Sequence, residues 1–154
     1  MKRNVWMAFI LAPFMFAGCG KTDTECVPAT VASEKAAMVA YCTANNITYT
    51  EHASGILYEV MSPGLGAQPA LTNTVSTVYT GKLLNNTQFD ASANPVSFLL
   101  SGVIKGWQIG IPLIKKGGRI KLVIPSSLAY GCNGSGSIPP NSPLYFEVTL
   151  TDVR

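Results

Sequence analysis

The chain has 154 residues, 47% of them hydrophobic and only 12% charged, with 11 basic against 8 acidic side chains. That length suits one domain with a sizeable core plus a short extension. Two of the basic groups, Lys2 and Arg3, sit at the extreme N-terminus, and the nine that remain nearly balance the eight acids, so no basic footprint for nucleic acid is left.

Lys2 and Arg3 are followed by a mostly apolar run from Val5 to Phe16, too short to span a bilayer comfortably and laid out like a secretory signal. Its ending, Phe16-Ala17-Gly18-Cys19, resembles a bacterial lipobox, with Phe16 where that motif usually has Leu. The resemblance implies cleavage before Cys19 and lipidation of Cys19 itself. Several acyl chains on one residue would hold the protein at a membrane surface. Gly20 in place of Asp after that cysteine is compatible with sorting to an outer membrane, facing the periplasm or the cell surface. The division expected is a signal over 1–18, a polar tether over 19–29, a helical extension over 30–54 and a folded domain over 55–154.

Thr30 to Asn45, rich in Ala, Met, Glu and Lys and stopped by Asn45-Asn46, predicts a helix. At ~1.5 Å rise per residue this helix holds Cys26 and Cys42 beyond disulfide reach. An exported chain meets oxidising conditions, so a Cys26–Cys132 bridge is favoured, with three unpaired thiols as the alternative. Beyond Gly55 the texture becomes β-rich, and Ile56–Met61, Val75–Leu83, Val96–Leu100, Arg119–Ile124 and Leu144–Val153 predict strands. Leu144, Phe146, Val148 and Leu150 alternate with Tyr145, Glu147, Thr149 and Thr151, which predicts a sheet with one buried face. Gly106 to Ile114, limited by Pro112, supplies a short helix to cover it. The expected class is α+β: a twisted antiparallel sheet wrapped around a short helix, with an N-terminal helix added.

His52 is the only histidine, so no Ser-His-Asp arrangement exists in the β-rich region; nor do the scattered carboxylates form a metal cluster. No glycine pattern opens a helix after a strand as a phosphate loop requires. An enzyme built this way needs chemistry without nucleophile, metal or cofactor, and rotation about a prolyl peptide bond is such chemistry. Val103-Ile104-Lys105-Gly106-Trp107-Gln108-Ile109-Gly110 sets an indole between glycines, where its flat face can serve as a floor for a small apolar ring.

Five segments then carry a family resemblance over residues 75–154: Val78-Tyr79-Thr80-Gly81-Lys82-Leu83; Phe89-Asp90-Ala91-Ser92; Val103-Ile104-Lys105-Gly106-Trp107; Ile124-Pro125-Ser126-Ser127-Leu128-Ala129-Tyr130-Gly131; and Ile138-Pro139-Pro140-Asn141 with Leu144-Tyr145-Phe146. In order and spacing they resemble the FKBP-type peptidyl-prolyl cis-trans isomerases. The resemblance implies the FKBP-like fold, isomerase activity on proline-containing polypeptides, and no cofactor. Trp107 becomes the floor for the proline ring, with Tyr79, Phe89, Val96, Val103, Ile104 and Phe146 as walls and Ile138 closing the rim. The Ile104 amide and the Tyr130 hydroxyl are implied to hold substrate carbonyls, and Asp90 to lie beside the carbonyl of the rotating bond.

Val96 stands where the family commonly has a large aromatic wall, and Ser135 and Ser137 replace bulkier rim residues. These departures predict a weakened grip on macrolide inhibitors. The function expected is a lipid-anchored prolyl isomerase that assists folding of exported proteins. The alternative is a non-catalytic module that captures proline-containing segments in the same pocket, as a chaperone would.

Overall fold

The computed structural model describes residues 26–154; the 1–18 signal and Cys19 lie outside the described residues. The alternating C-terminal stretch forms β6 (Leu144–Val153), which pairs antiparallel with both β5 (Arg119–Ile124) and β3 (Thr74–Leu83). Its register sets Leu144, Phe146 and Val148 opposite Ile124, Leu122 and Ile120, so the apolar positions of both strands share one face. β2 (Leu57–Ser62) and the two-residue β1 (Thr50–Glu51) extend the sheet beyond β5, and β4 (Gln88–Leu99) closes the opposite edge. The resulting order is β1-β2-β5-β6-β3-β4, with every neighbouring pair antiparallel.

β4 is longer than expected, beginning at Gln88 rather than Val96. Pro95 lacks an N–H and ends a strand pattern when read from sequence. At the edge of the sheet that donor is dispensable, and the register with β3 shifts between Thr77 and Tyr79 as the strand passes the proline. Phe89 and Asp90 therefore lie on a strand, Asp90 directly opposite Gly81.

Over the inner face lies α2 (Lys105–Gly110), followed by a 3-10 turn over Ile111–Leu113 that accommodates Pro112. Trp107, Ile111 and Ile114 pack with Ile56, Leu122, Ile124, Phe146 and Val148 in the main core. Gly106 and Gly110, one helical turn apart, face β5 at close range. A Cβ on Gly106 would stand 2.4 Å from Ile124 Cγ2, and one on Gly110 would stand 2.6 Å from Leu122 Cδ2. The glycines beside the indole thus let the helix lie flat on the sheet; unwalling the ring is not their purpose, contrary to the reading from sequence.

The sheet is not one-sided. α1 (Val31–Ala44) packs on the opposite face, where Met38, Tyr41 and Cys42 bury against Leu57, Val123 and Tyr145. Glu34, Met38, Tyr41 and Cys42 recur at helical spacing and form its buried stripe. Val123 and Tyr145 on the otherwise polar face were the sequence signs of this cover. Thr30 caps the helix by accepting from the Ser33 amide at 3.1 Å, and Asn45 closes it, with Asn46 in the left-handed region at φ 53°. Cys26 and Cys132 are joined in a disulfide with Cα atoms 5.4 Å apart, while Cys42 is a fully buried free thiol. Because the bridge falls inside the 19–29 segment, residues 26–29 rest on the body instead of extending from it.

Candidate active site

Between α2, the two edge-side strands and the turn after β5 opens a cavity of about 330 Å³, at the small end of the ~300–1,000 Å³ typical of ligand pockets. Tyr79 on β3, Phe89, Asp90 and Phe98 on β4, Gly102 to Ile104 before α2, Trp107 on α2, Tyr130 after β5 and Phe146 on β6 line it. Residues 67 positions apart in sequence are thereby brought to one hollow.

Trp107, 4% exposed, sits at the bottom of this group. Three rings meet it edge-on: Tyr79 and Phe146 with centroids at 5.3 Å, and Phe98 at 5.8 Å. Each such pair contributes ~0.5–1.5 kcal/mol beyond its buried area, so the indole plane is rigidly held. The Trp107 indole N–H is buried with no hydrogen-bond partner among the described residues. Phe89 meets Phe146 edge-on at 5.5 Å, and this pair requires Gly81, whose added Cβ would fall 2.7 Å from the Phe89 ring.

The polar groups are few. Tyr79 donates its hydroxyl to Asp90 Oδ2 at 2.8 Å, which orients the carboxylate at the mouth. Burial, reinforced by the bond to Asp90 and its charge, pushes the Tyr79 hydroxyl up to about 12, so it remains a donor throughout the neutral range. Ile104 caps α2 without a side-chain bond, and its own N–H meets no acceptor among the described residues. The turn that presents it is pinned by Gln108, whose Nε2 donates to the carbonyls of Val103 at 2.7 Å and Ser101 at 3.1 Å. The Tyr130 hydroxyl, also without a partner among the described residues, belongs to a side chain 38% exposed at the rim. An apolar floor with one oriented carboxylate, one free amide and one free hydroxyl can hold an apolar ring and address the carbonyls on either side of it.

The structure brings together Tyr79, Phe89, Asp90, Val103, Ile104, Trp107, Tyr130 and Phe146. Two expected residues are elsewhere. Val96, 37% exposed, lies outside the lining, beside the stretch of β4 where the register shifts. Ile138, 7% exposed, is drawn into the main core by a narrow bridge in which its amide and carbonyl pair with those of Ser135. Sequence reasoning missed Phe98 and Gln108. Phe98 follows Val96 by two residues, so strand alternation places both on one face and the aromatic wall is displaced along β4 instead of lost. Ser135 and Ser137 are exposed and take no part in the lining.

A second hollow of about 240 Å³ on the opposite face is lined by Lys82, Arg119, Tyr145 and Glu147, among others. Arg119 pairs with Glu147, which also accepts from the Tyr145 hydroxyl at 3.1 Å, so these two charges are already partnered. Among the described residues there is no group of three or more His, Cys, Asp or Glu side chains that could hold a metal ion, and no helix is long and apolar enough to cross a membrane.

Residues 66–151 match the family model described as FKBP-type peptidyl-prolyl cis-trans isomerase. The chain is 49% identical over 105 residues to the FKBP-type peptidyl-prolyl cis-trans isomerase FkpA of Escherichia coli K12, covering 66% of this chain and 39% of that protein. It is 50% identical over 105 residues to a probable FKBP-type peptidyl-prolyl cis-trans isomerase of Haemophilus influenzae, covering 66% of this chain and 44% of that protein. The chain thus spans about two fifths of the length of the curated relatives it matches. The crystal structure of FkpA from Escherichia coli superposes with a TM-score of 0.72 at 42% identity, over 80% of this chain and 61% of that one. A peptidyl-prolyl cis-trans isomerase structure from Pseudomonas syringae gives 0.69 at 34% identity, over 82% of this chain and 98% of that one. With that match over more than half its length and a site built from the same segments, the chain belongs to the FKBP-type peptidyl-prolyl cis-trans isomerase family.

Proposed function

We propose that the protein is a peptidyl-prolyl cis-trans isomerase that speeds Xaa-Pro isomerisation in exported polypeptides, the slow step that limits their folding. The reading rests on the buried Trp107, fixed by three edge-on rings beneath an open apolar cavity. The proline ring seats on the indole. The Ile104 amide and the Tyr130 hydroxyl hold the carbonyls that flank it.

Amide resonance sets a barrier of ~18–20 kcal/mol, and the planar, charge-separated amide is favoured by water. Carrying the bond into an apolar cavity removes that solvation. Asp90, held by Tyr79, places negative charge near the carbonyl carbon and favours the twisted geometry, in which resonance is lost. Each ~1.4 kcal/mol so gained raises the rate about tenfold, and only interactions stronger in the twisted state count. No proton transfer or covalent bond is needed.

The export signal over 1–18 and lipidation at Cys19 belong to the same proposal. They place the isomerase at the surface of a bacterial membrane, probing unfolded chains that have just crossed it. The Phe98 wall supports some macrolide binding, and the exposed Ser135 and Ser137 make it weaker than in members with a bulky rim.

The deciding experiment is exchange NMR on a proline-containing peptide with catalytic amounts of protein. Enhanced cis-trans exchange, lost by at least about tenfold in Asp90→Ala or Tyr130→Phe, is the expected result. Unchanged exchange at high protein concentration with tight peptide binding would replace the isomerase by a capture module.

A further inference from the structure

The family match begins at residue 66, yet the segment ahead of it is fastened to the loop that carries Tyr130. Three links make the attachment. Cys26 is bridged to Cys132, two residues past Tyr130. The Asn141 side-chain amide donates to the Val27 carbonyl at 3.0 Å and accepts from the Ala29 amide at 2.9 Å. Glu34, in the first turn of α1, accepts from Ser126 twice, from the backbone N–H at 2.8 Å and from Oγ at 2.5 Å.

The last link is the informative one. Glu34 is 7% exposed and Ser126 is 1% exposed, so an acidic side chain has been buried to hold one serine. A buried polar pair of this kind is costly unless fully bonded, and an apolar pair would pack there as well or better. What the two bonds add is direction: together they fix both the position and the orientation of one backbone unit. Ser126 opens the 3-10 turn Ser126–Leu128, whose next residues are Ala129 and Tyr130. The long connection from Pro125 to Pro143 joins no strand of the sheet; Leu128, Ala129 and Ile138 seat it on the core, and the Glu34 bonds fix the start of the turn that leads to Tyr130.

We propose that Glu34 is a positioning residue for the isomerase, setting the Tyr130 hydroxyl at the cavity rim from a helix outside the family match, with the Cys26–Cys132 bridge and Asn141 as supporting fastenings. The proposal rests on the isomerase reading above. It makes the N-terminal extension part of the active site's scaffold.

The test compares Glu34→Ala and Glu34→Gln with Met38→Ala, which loosens α1 on the sheet but leaves the clamp intact. All are measured in the full chain at a temperature well below every melting point. Glu34→Ala is expected to slow catalysed exchange about five- to tenfold, since small misplacements of a contacting group are expensive in rate. Glu34→Gln keeps an acceptor oxygen for Ser126 and restores most of that loss, while Met38→Ala lowers the melting point and leaves the rate within about twofold. In a Tyr130→Phe background the Glu34→Ala effect shrinks to less than about twofold, because the hydroxyl it positions is gone. Ser126→Ala removes one arm of the clamp and carries the same comparison in a milder form if Glu34→Ala does not fold.

Wild-type rates in Glu34→Ala, or an equal loss with and without the Tyr130 hydroxyl, overturn the positioning role. A wild-type protein that does not speed exchange at all would defeat the isomerase reading instead. The clamp would then be judged from the Tyr130 ring and amide resonances, which must move in Glu34→Ala and stay put in Met38→Ala.

Discussion

Replacing Gly106 by alanine adds one methyl group at the contact between α2 and β5. Its Cβ would lie 2.4 Å from Ile124 Cγ2 and 2.6 Å from Ile124 Cδ1, about 1 Å short of the 3.4 Å at which ordinary contact begins. The struck Cγ2 is bonded directly to the β-branched carbon, so it moves only if χ1 changes, which branching resists. Ile124 is paired with Leu144 of β6 and its neighbour Val123 with β2 as well, so the short helix is the part that yields. Overpacking of this kind costs ~1–3 kcal/mol, and the better helix propensity of alanine returns ~1 kcal/mol, leaving a loss of about 0–2 kcal/mol in stability. Trp107, the next residue, shifts with the helix by up to about 1 Å, and displacement on that scale can cost about 100-fold in rate. Gly106→Ala should therefore fold, melt a few degrees lower, and lose exchange activity by ten- to a hundredfold, roughly. Exchange NMR and a thermal melt on the same sample decide it. A variant that keeps exchange within about twofold of wild type would refute the claim that the glycine sets the floor.

Further consequences can be checked alongside. Tyr79→Phe removes the bond that orients Asp90 while keeping the ring, and should reduce exchange about tenfold with little change in peptide affinity; an unaltered rate would show that the carboxylate needs no anchor. Phe98→Ala should weaken peptide binding and stability together, whereas Val96→Ala should leave both nearly unchanged; the reverse order would return the aromatic wall to the Val96 position. Burial pushes the Cys42 thiol up to about 11 from an ordinary value near 9. The folded state then holds its proton where the unfolded state releases it, so stability is full below about pH 9 and declines as pH rises toward 11. Melting curves of Cys42→Ala should lack that part of the alkaline decline, and the same slope in both proteins would remove Cys42 as its source.

Much of the site was legible because its residues are close in sequence to strong local signals. Trp107, Ile104 and Val103 share one eight-residue stretch, and Tyr79, Asp90, Tyr130 and Phe146 each sit in a short recognisable segment. Strand alternation also put Phe146 and Leu144 on the core side of β6, where the structure has them. Phe98 lies on the expected strand Val96–Leu100 and shares a face with Val96, but the resemblance put the wall at Val96, and only the packing of β4 against α2 shows that Phe98 is the side chain that meets Trp107. The rim position of Ile138 came from the resemblance alone, since its loop has no periodicity to show which way a side chain turns. Gln108 looked like an ordinary polar residue on a short helix, and only its bonds to Ser101 and Val103 reveal that it holds the Ile104 turn.

The sequence by itself determined the strands with strict alternation, the N-terminal helix and the aromatic and polar residues from which the candidate cavity is built, because these follow from local periodicity and residue chemistry. Which residues touch was decided by tertiary structure. Glu34 meets Ser126 across 92 positions and Cys26 meets Cys132 across 106. The burial of α1 on a face that reads as polar depends likewise on sheet order. Such contacts are set by how distant segments stack, and no local pattern encodes that.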